Sequence, residues 1–371
     1  MTALLSRDGQ RDQQGERLRV CLVANSRFPI AEPFTGGLES MTWHLARELG
    51  RRGHAVAVFA APGSDPDLGV VELDVVALPG HPGRHDVDAP PYVEVAEHHA
   101  YLTLMLELAG ATGAGFDVVH NNSLHYLPVA MARTLSAPML TTLHTPPVWW
   151  LASAVRLDRG ASSFAAVSQH TCDAWASITP STRVLNGVDV DRWPAGPGGP
   201  AAVWSGRLVA EKAPHDAVLA ARRAGIPIVL AGPLLDQDYF RTTVQPLLGP
   251  DATYAGHLAQ DELAALVGGS AVAVVTPAWD EPYGLVAAEA LACGTPVAAY
   301  DRGGLPEVLS PDTGRLAVAG DVDMLALAMR DALVLDRTRC REHAVAELSL
   351  ERMVDRYEDE YVRLLGRRLA A

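Results

Sequence analysis

The sequence predicts an α/β protein of two doubly wound, parallel-sheet domains facing a central cleft, and three observations carry that prediction. Short apolar runs alternate with helix-patterned stretches along most of the 371 residues, as in parallel sheets covered on both faces. Near the middle a breaker-dense stretch, Asp191-Arg-Trp-Pro-Ala-Gly-Pro-Gly-Gly-Pro200, interrupts the alternation, which then restarts. The length, with 49% hydrophobic residues, suits two cores in domains of roughly 150 to 190 residues each.

Taken in order, residues 1–17 are polar and charged, unlike a signal peptide, and read as a disordered tail. The apolar run 18–24, a Gly/Pro loop, a helix pattern over 38–52 and a second apolar run at 55–59 form a β-α-β unit. Further strands are predicted at 71–78, 118–120, 139–143 and 163–167, with a helix over 93–108. The first domain is therefore 18–190, and 191–200 is the linker. In the second domain, 201–350, strands are predicted at 202–205, 228–231, 271–276 and 296–300, with another before Ala255. Helices are predicted at 215–224, 260–267, 284–293 and 323–334, and a last helical pattern over 348–365 carries Tyr357 and Tyr361.

Composition narrows the function classes. Lys and Arg total 30 against 44 Asp and Glu, a net charge of −14 that argues against a nucleic-acid binder or electrostatic attachment to an anionic membrane. Any anionic ligand then needs a local cationic site. The four cysteines, Cys21, Cys172, Cys293 and Cys340, show no metal-ligand spacing and fit reduced thiols in a cytoplasm. No apolar run approaches the roughly 18 to 20 residues of a spanning helix.

The segment Thr276-Pro-Ala-Trp-Asp-Glu-Pro-Tyr-Gly-Leu-Val-Ala-Ala-Glu-Ala-Leu-Ala-Cys-Gly-Thr-Pro-Val297 carries most of the functional signal. It follows a strand and opens a helix, with Pro282 expected in the first turn and the N–H groups of Tyr283, Gly284, Leu285 and Val286 as the unpaired donors of a helix start. Such a terminus suits phosphate oxygens or sugar hydroxyls. Glu281 precedes the helix and Glu289 lies inside it, so the two carboxylates should meet different parts of one elongated ligand. In isolation each would read as a solvated helix residue; the apolar surroundings, which bury this helix, favour a site.

This run, followed by D-R-G-G-L-P-E-V and T-G-R-L, resembles the signature of retaining nucleotide-sugar glycosyltransferases of the group-1, family-4 type, which have the GT-B fold of two Rossmann-like domains. The resemblance implies that Glu281 meets the donor sugar hydroxyls, Glu289 the ribose hydroxyls, and the 283–286 backbone the sugar and diphosphate. It also implies that the last helix, placed at 351–371, crosses back to the first domain.

Other positions support the same reading. Ser205-Gly-Arg-Leu-Val-Ala-Glu-Lys212 follows a predicted strand and places two cations where a diphosphate would be neutralised, Arg by its planar fork and Lys as a point charge. It resembles the family's G-R-x-x-x-E-K motif, which carries Gly206 over as a donor contact and Arg207 and Lys212 as stabilisers of the leaving diphosphate; Ala213 stands where the family usually has Gly. In Pro33-Phe-Thr-Gly-Gly-Leu-Glu39, Gly36 and Gly37 permit a tight turn and close approach to phosphate, as ordinary turns also do, and they resemble the family's Gly-Gly loop. His120 ends a strand in Asp117-Val-Val-His-Asn-Asn122 and His144 ends another before Pro146 and Pro147; the resemblance sets them near the reacting sugar, whereas a lone His is often structural. Asn186 and Gly187 suit a turn with positive φ. His257 and Leu258 resemble the segment that meets the nucleobase. Trp149 and Trp150 are expected either in an acceptor wall or in the core, and Trp279 and Asp280 to tune the donor sugar.

The resemblance implies a retaining hexosyl transfer from a UDP- or GDP-sugar to a hydroxyl of a small-molecule or glycan acceptor, without a protein nucleophile, cofactor or required metal. Three D-x-D runs, at 86–88, 189–191 and 321–323, do not adjoin the diphosphate cradle. Two rivals share the architecture: a nucleotide-sugar epimerase, and a non-catalytic nucleotide-sugar binding protein.

Overall fold

The structure, a computed structural model, describes residues 17–75 and 91–370, with side chains to residue 367. The tail 1–16, the D-x-D run at 86–88 and the end of the strand expected at 71–78 lie outside the described residues.

The first sheet is built from β1 (Arg19–Val23), β2 (Ala55–Ala60), β3 (Val70–Glu72), β4 (Val118–Asn121), β5 (Met139–Leu143), β6 (Ser162–Ala166) and β7 (Thr182–Arg183). The second is built from β8 (Ala202–Ser205), β9 (Ile228–Ala231), β10 (Ala252–Tyr254), β11 (Val272–Val275), β12 (Val297–Tyr300) and β13 (Gly314–Ala317). Their orders are β3-β2-β1-β4-β5-β6-β7 and β10-β9-β8-β11-β12-β13, with every strand pairing parallel. The connecting helices in the first half are α1 (Gly37–Arg51), α2 (Tyr92–Ala109), α3 (Tyr126–Met131), α4 (Trp149–Asp158) and α5 (Gln169–Trp175). The second half has α6 (Pro214–Ala224), the single turn α7 (Gln237–Tyr239), α8 (Gln260–Gly268), α9 (Leu285–Ala292), α10 (Leu305–Val308), α11 (Val322–Ala332), α12 (Arg337–Glu347) and α13 (Leu350–Ala370).

Strands covered on both faces need apolar residues at successive positions, and Val20, Cys21, Leu22 and Val23 of β1 are all buried. One face packs with α1 and the other with α2; in the second domain α9 and α12 cover one face and α6 and α11 the other. The apolar stripe of α13 (Leu350, Met353, Val354, Tyr357, Tyr361, Leu364) joins the first domain's core beside Met41, Leu45 and Leu49 of α1. Arg52 fringes this contact, with its guanidinium 2.6 Å from Asp355 and 2.7 Å from Glu358.

Two local expectations need correction. Pro282 is not in a first helical turn: α9 starts at Leu285, and Gly284 precedes it at φ 98°, so 281–284 is a loop. Gly187 does not owe its identity to positive φ; a side chain there would strike the backbone of Ser349 and Leu350 where α13 begins. The strands β7 and β13 and the helices α3, α4, α5, α7, α10 and α12 have no counterpart among the predicted elements.

Candidate active site

In each sheet the strand order reverses beside the domain's first strand, between β1 and β4 and between β8 and β11. Connections leave these neighbours toward opposite faces, so a crevice opens outside their carboxyl ends. The two crevices share one cavity of about 420 Å³. Its lips touch: a Cβ on Gly37 would lie 3.5 Å from Leu285 Cδ2, and His257 Nε2 is 3.2 Å from the Phe34 carbonyl oxygen. The starts of α1 and α9 therefore meet across the cleft.

The second-domain wall collects the cations and the paired glutamates. Lys212 Nζ is 2.5 Å from Glu281 Oε2, and its charge lies 5.3 Å from the Trp279 ring centroid. Trp279 Nε1 donates to the same carboxylate oxygen at 3.3 Å. Arg207 donates to Glu211 at 2.7 Å. Thr276 ties this loop to the end of β11: its Oγ1 accepts from Trp204 Nε1 at 3.0 Å and stands 3.0 Å from the Lys212 and Ala213 carbonyl oxygens. Ala213 adopts the left-handed conformation, φ 43° and ψ 53°, which explains why a glycine is the easier residue there. Each cation is thus held by a neighbouring carboxylate.

Glu289 also lines the cavity, from inside α9. Burial pushes its carboxyl up to about 8, so it holds a proton at neutral pH. Gly206, Leu258, Tyr283, Gly284, Leu285 and Val286 line the same space. The Tyr283 ring is buried, and burial pushes its phenol up. Three buried polar atoms of lining residues, Asn186 Oδ1, Gln260 Nε2 and the Tyr283 hydroxyl, have no hydrogen-bond partner in the protein. They are acceptor and donor groups that a polar ligand can satisfy.

The first-domain wall carries Gly36, Gly37 and the cap of α1. Glu39, which the sequence reading left unassigned, is buried here and accepts from Asn25 Nδ2 at 3.3 Å; burial raises its pKa. Its signal was an acid in the first turn after the Gly-Gly cap. His144 lines the cavity. Its Nε2 is paired with Asn122 Oδ1 at 3.0 Å, and burial lowers its pKa to about 3, so the neutral ring leaves Nδ1 as an acceptor.

His120 does not reach the cleft. It is fully buried beneath α13, with Nδ1 2.7 Å from the Tyr361 hydroxyl and Nε2 2.8 Å from Thr142 Oγ1. The reason is register: His120 pairs with Leu140 inside the sheet, so its side chain enters the core instead of leaving at the strand end. Asp280 also stands outside the lining and pairs with Arg302 at 3.2 Å on the surface. Trp149 is 82% exposed and Trp150 40%, so neither is core, and neither lines the cavity; Trp150 Nε1 donates to the carbonyl of Leu124, a lining residue, at 3.3 Å. Among the described residues no group of three or more His, Cys, Asp or Glu side chains could hold a metal, and no helix is long and apolar enough to cross a membrane.

Residues 35–192 match the family model described as Glycosyltransferase Family 4, and residues 191–345 match that of glycosyl transferases group 1. The chain is 30% identical over 361 residues to a glycogen synthase of Mycobacterium tuberculosis, with 85% of this chain and 86% of that protein aligned. It is 29% identical over 372 residues to a D-inositol 3-phosphate glycosyltransferase of Mycobacterium avium, covering 86% of each. Among solved structures, a sucrose-phosphate synthase of Thermosynechococcus elongatus superposes with TM-score 0.74 at 20% identity, covering 94% of this chain and all (100%) of that one. HepE of Anabaena, in complex with UDP and glucose, superposes with TM-score 0.71 at 16% identity, again over 94% of this chain and 100% of that one. Two parallel-sheet, Rossmann-like domains in the GT-B arrangement are common to these folds.

Proposed function

We propose, from the premise that this chain belongs to the group-1, family-4 glycosyltransferases, that it moves a hexose from a nucleoside-diphosphate sugar to an acceptor hydroxyl with retention of configuration. The observation that carries this reading is the convergence of Arg207, Lys212, Glu281, Glu289 and the start of α9 on one cavity at the switch points of both sheets.

The donor lies along the second-domain wall. Its diphosphate takes Lys212 from Glu281 and Arg207 from Glu211, and the open N–H groups of Leu285 and Val286 at the start of α9 add a positive end. As the glycosidic bond breaks, negative charge grows on the departing diphosphate, and these pre-positioned groups stabilise it. Glu281, released from Lys212, accepts from the sugar hydroxyls, and Glu289 meets the ribose. The acceptor hydroxyl enters from the first-domain wall past His144, and its proton passes to the departing phosphate oxygen. No metal is needed, because two cations already face the diphosphate.

Relatives support a glucosyl-type donor. HepE was solved with UDP-glucose, and starch synthase IV of Arabidopsis thaliana with ADP and acarbose. We favour UDP or GDP as the leaving nucleotide and a polyol or glycan acceptor, approached beside Trp149 and Trp150. The four buried, unpaired thiols support a cytoplasmic setting.

The test is proton and phosphorus NMR of the purified chain in chelator, with UDP-, GDP-, ADP- and dTDP-glucose and with maltose or inositol as acceptor. Release of one nucleoside diphosphate with an anomeric signal of the donor's configuration supports the proposal. Inversion overturns retention, an epimeric nucleotide sugar makes the protein an epimerase, and binding without turnover makes it a sugar-nucleotide binder.

A further inference from the structure

The loop 281–284 is gripped from two sides, and one residue joins the grips. On one side lies the turn before α10. Gly304 N–H donates to the Glu281 carbonyl at 2.6 Å, and a side chain on Gly303 or Gly304 would strike the Glu281 or Pro282 backbone. On the other side lies the start of α5, which belongs to the first domain; Thr171 Oγ1 donates to the Pro282 carbonyl at 3.4 Å. Glu307 of α10 spans both. Its carboxylate accepts from Gln169 N–H at 2.7 Å and His170 N–H at 2.8 Å, and Arg183 of β7 approaches it at 3.4 Å.

These bonds complete the accounting for the first turn of α5. Ser168 Oγ accepts from Thr171 N–H at 3.0 Å, and the two preceding N–H groups would stay open without Glu307. A local acid could cap this helix alone, whereas Glu307 does so from the opposite domain. The Glu307 side chain is only 18% exposed and lies between the domains.

We propose that Glu307 is a positioning residue that fastens the first domain to the donor loop, so that Glu281 and Gly284 stay in register with Arg207 and Lys212. It touches no substrate and acts through the turn it rides on: Glu307 N–H donates to the Gly304 carbonyl at 3.0 Å, and Gly304 in turn holds Glu281. Its enzymatic consequence rests on the reading that this loop binds the nucleotide sugar.

Hydrogen exchange on the unliganded full chain tests the fastening without reference to activity, comparing wild type with Glu307→Ala and Glu307→Gln. Exchange should quicken at amides 283–286 as well as at 169–171, more for Ala than for Gln, which keeps an oxygen for one N–H. A rise confined to 169–171 overturns the proposal. Arg222→Ala, which breaks a surface pair with Asp251 in the same domain, should leave 283–286 unchanged. With UDP-glucose as probe, Glu307→Ala should lose on the order of 10- to 100-fold in affinity for the nucleotide sugar and much less for UDP alone. Equal losses for both ligands, or none, also overturn it. If Glu307→Ala does not fold, Glu307→Gln carries both measurements. Should wild type bind no nucleotide sugar, the functional reading fails while the exchange result still decides this one.

Discussion

The two walls of the cleft are built on the same topology and differ in chemistry. The second-domain wall sets Arg207, Lys212, Glu281 and Glu289 on loops and a helix at the carboxyl ends of its strands, and the two cations are held by neighbouring carboxylates. The first-domain wall offers two glycines, a buried glutamate and a histidine kept neutral by burial, and its remaining charges, Arg27 and Glu32, are paired with Glu97 and Arg192. On the proposed reading, a diphosphate makes a strong electrostatic demand, and the wall with two cations on the cavity is the one suited to meet it. An acceptor hydroxyl demands mainly space and one or two hydrogen bonds, which many residues can supply.

That contrast breaks first at Lys212. Lys212→Ala should slow transfer by on the order of 10²- to 10³-fold, as loss of one charge-stabilising donor does. Steady-state rates with saturating donor check it, and near-normal turnover would remove the charged wall from the chemistry.

Glu289 gives the next effect, and it depends on pH. Its folded-state pKa of about 8 stands above the ordinary 4.5, so it costs nothing below about 4.5, and stability is lost as pH rises toward 8. Glu289→Gln should therefore leave Tm unchanged below about pH 4.5 and raise it increasingly as pH climbs toward 8, with a stability gain on the order of a few kcal/mol at most. It should weaken nucleotide-sugar binding at the same time. Thermal melts across pH with a flat difference would mean that the carboxyl is not desolvated.

His120 sharpens the comparison from the first domain. His120→Phe strands the Tyr361 hydroxyl and Thr142 in the core and should cost about 1–3 kcal/mol in urea unfolding. Transfer by the folded fraction should be unaltered, whereas His144→Ala should raise the KM for acceptor with little change in Tm. The smallest effect belongs to Ala213, whose left-handed backbone Ala213→Gly would relax, with a gain of about 0.5–1 kcal/mol.

Legibility in the sequence followed the same divide. Three strands were read to the residue, at 139–143, 202–205 and 228–231, because buried parallel strands are continuous apolar runs bounded by breakers. The two-residue β7 and the Arg-rich α12 show no such pattern, since one is short and the other is held by capping and backbone contacts. Glu281, Glu289, Arg207 and Lys212 stand close to one another in sequence within two short motifs. Asn186 is legible only as a turn residue, Glu39 only as an acid in a first helical turn and Gln260 not at all, and the three reach the same cavity from separate elements.

By itself the sequence determined the period of its elements and the local motifs of the second-domain wall, because hydrophobic periodicity and helix starts are properties of neighbouring residues. Only the tertiary structure decided which strand-end histidine faces the cleft, which carboxylates hold the cations, and that Glu307 of one domain caps a helix of the other. Those outcomes depend on strand register and on how two domains meet, and residues more than 100 positions apart, such as Gln169 and Glu307, leave no periodic trace of each other.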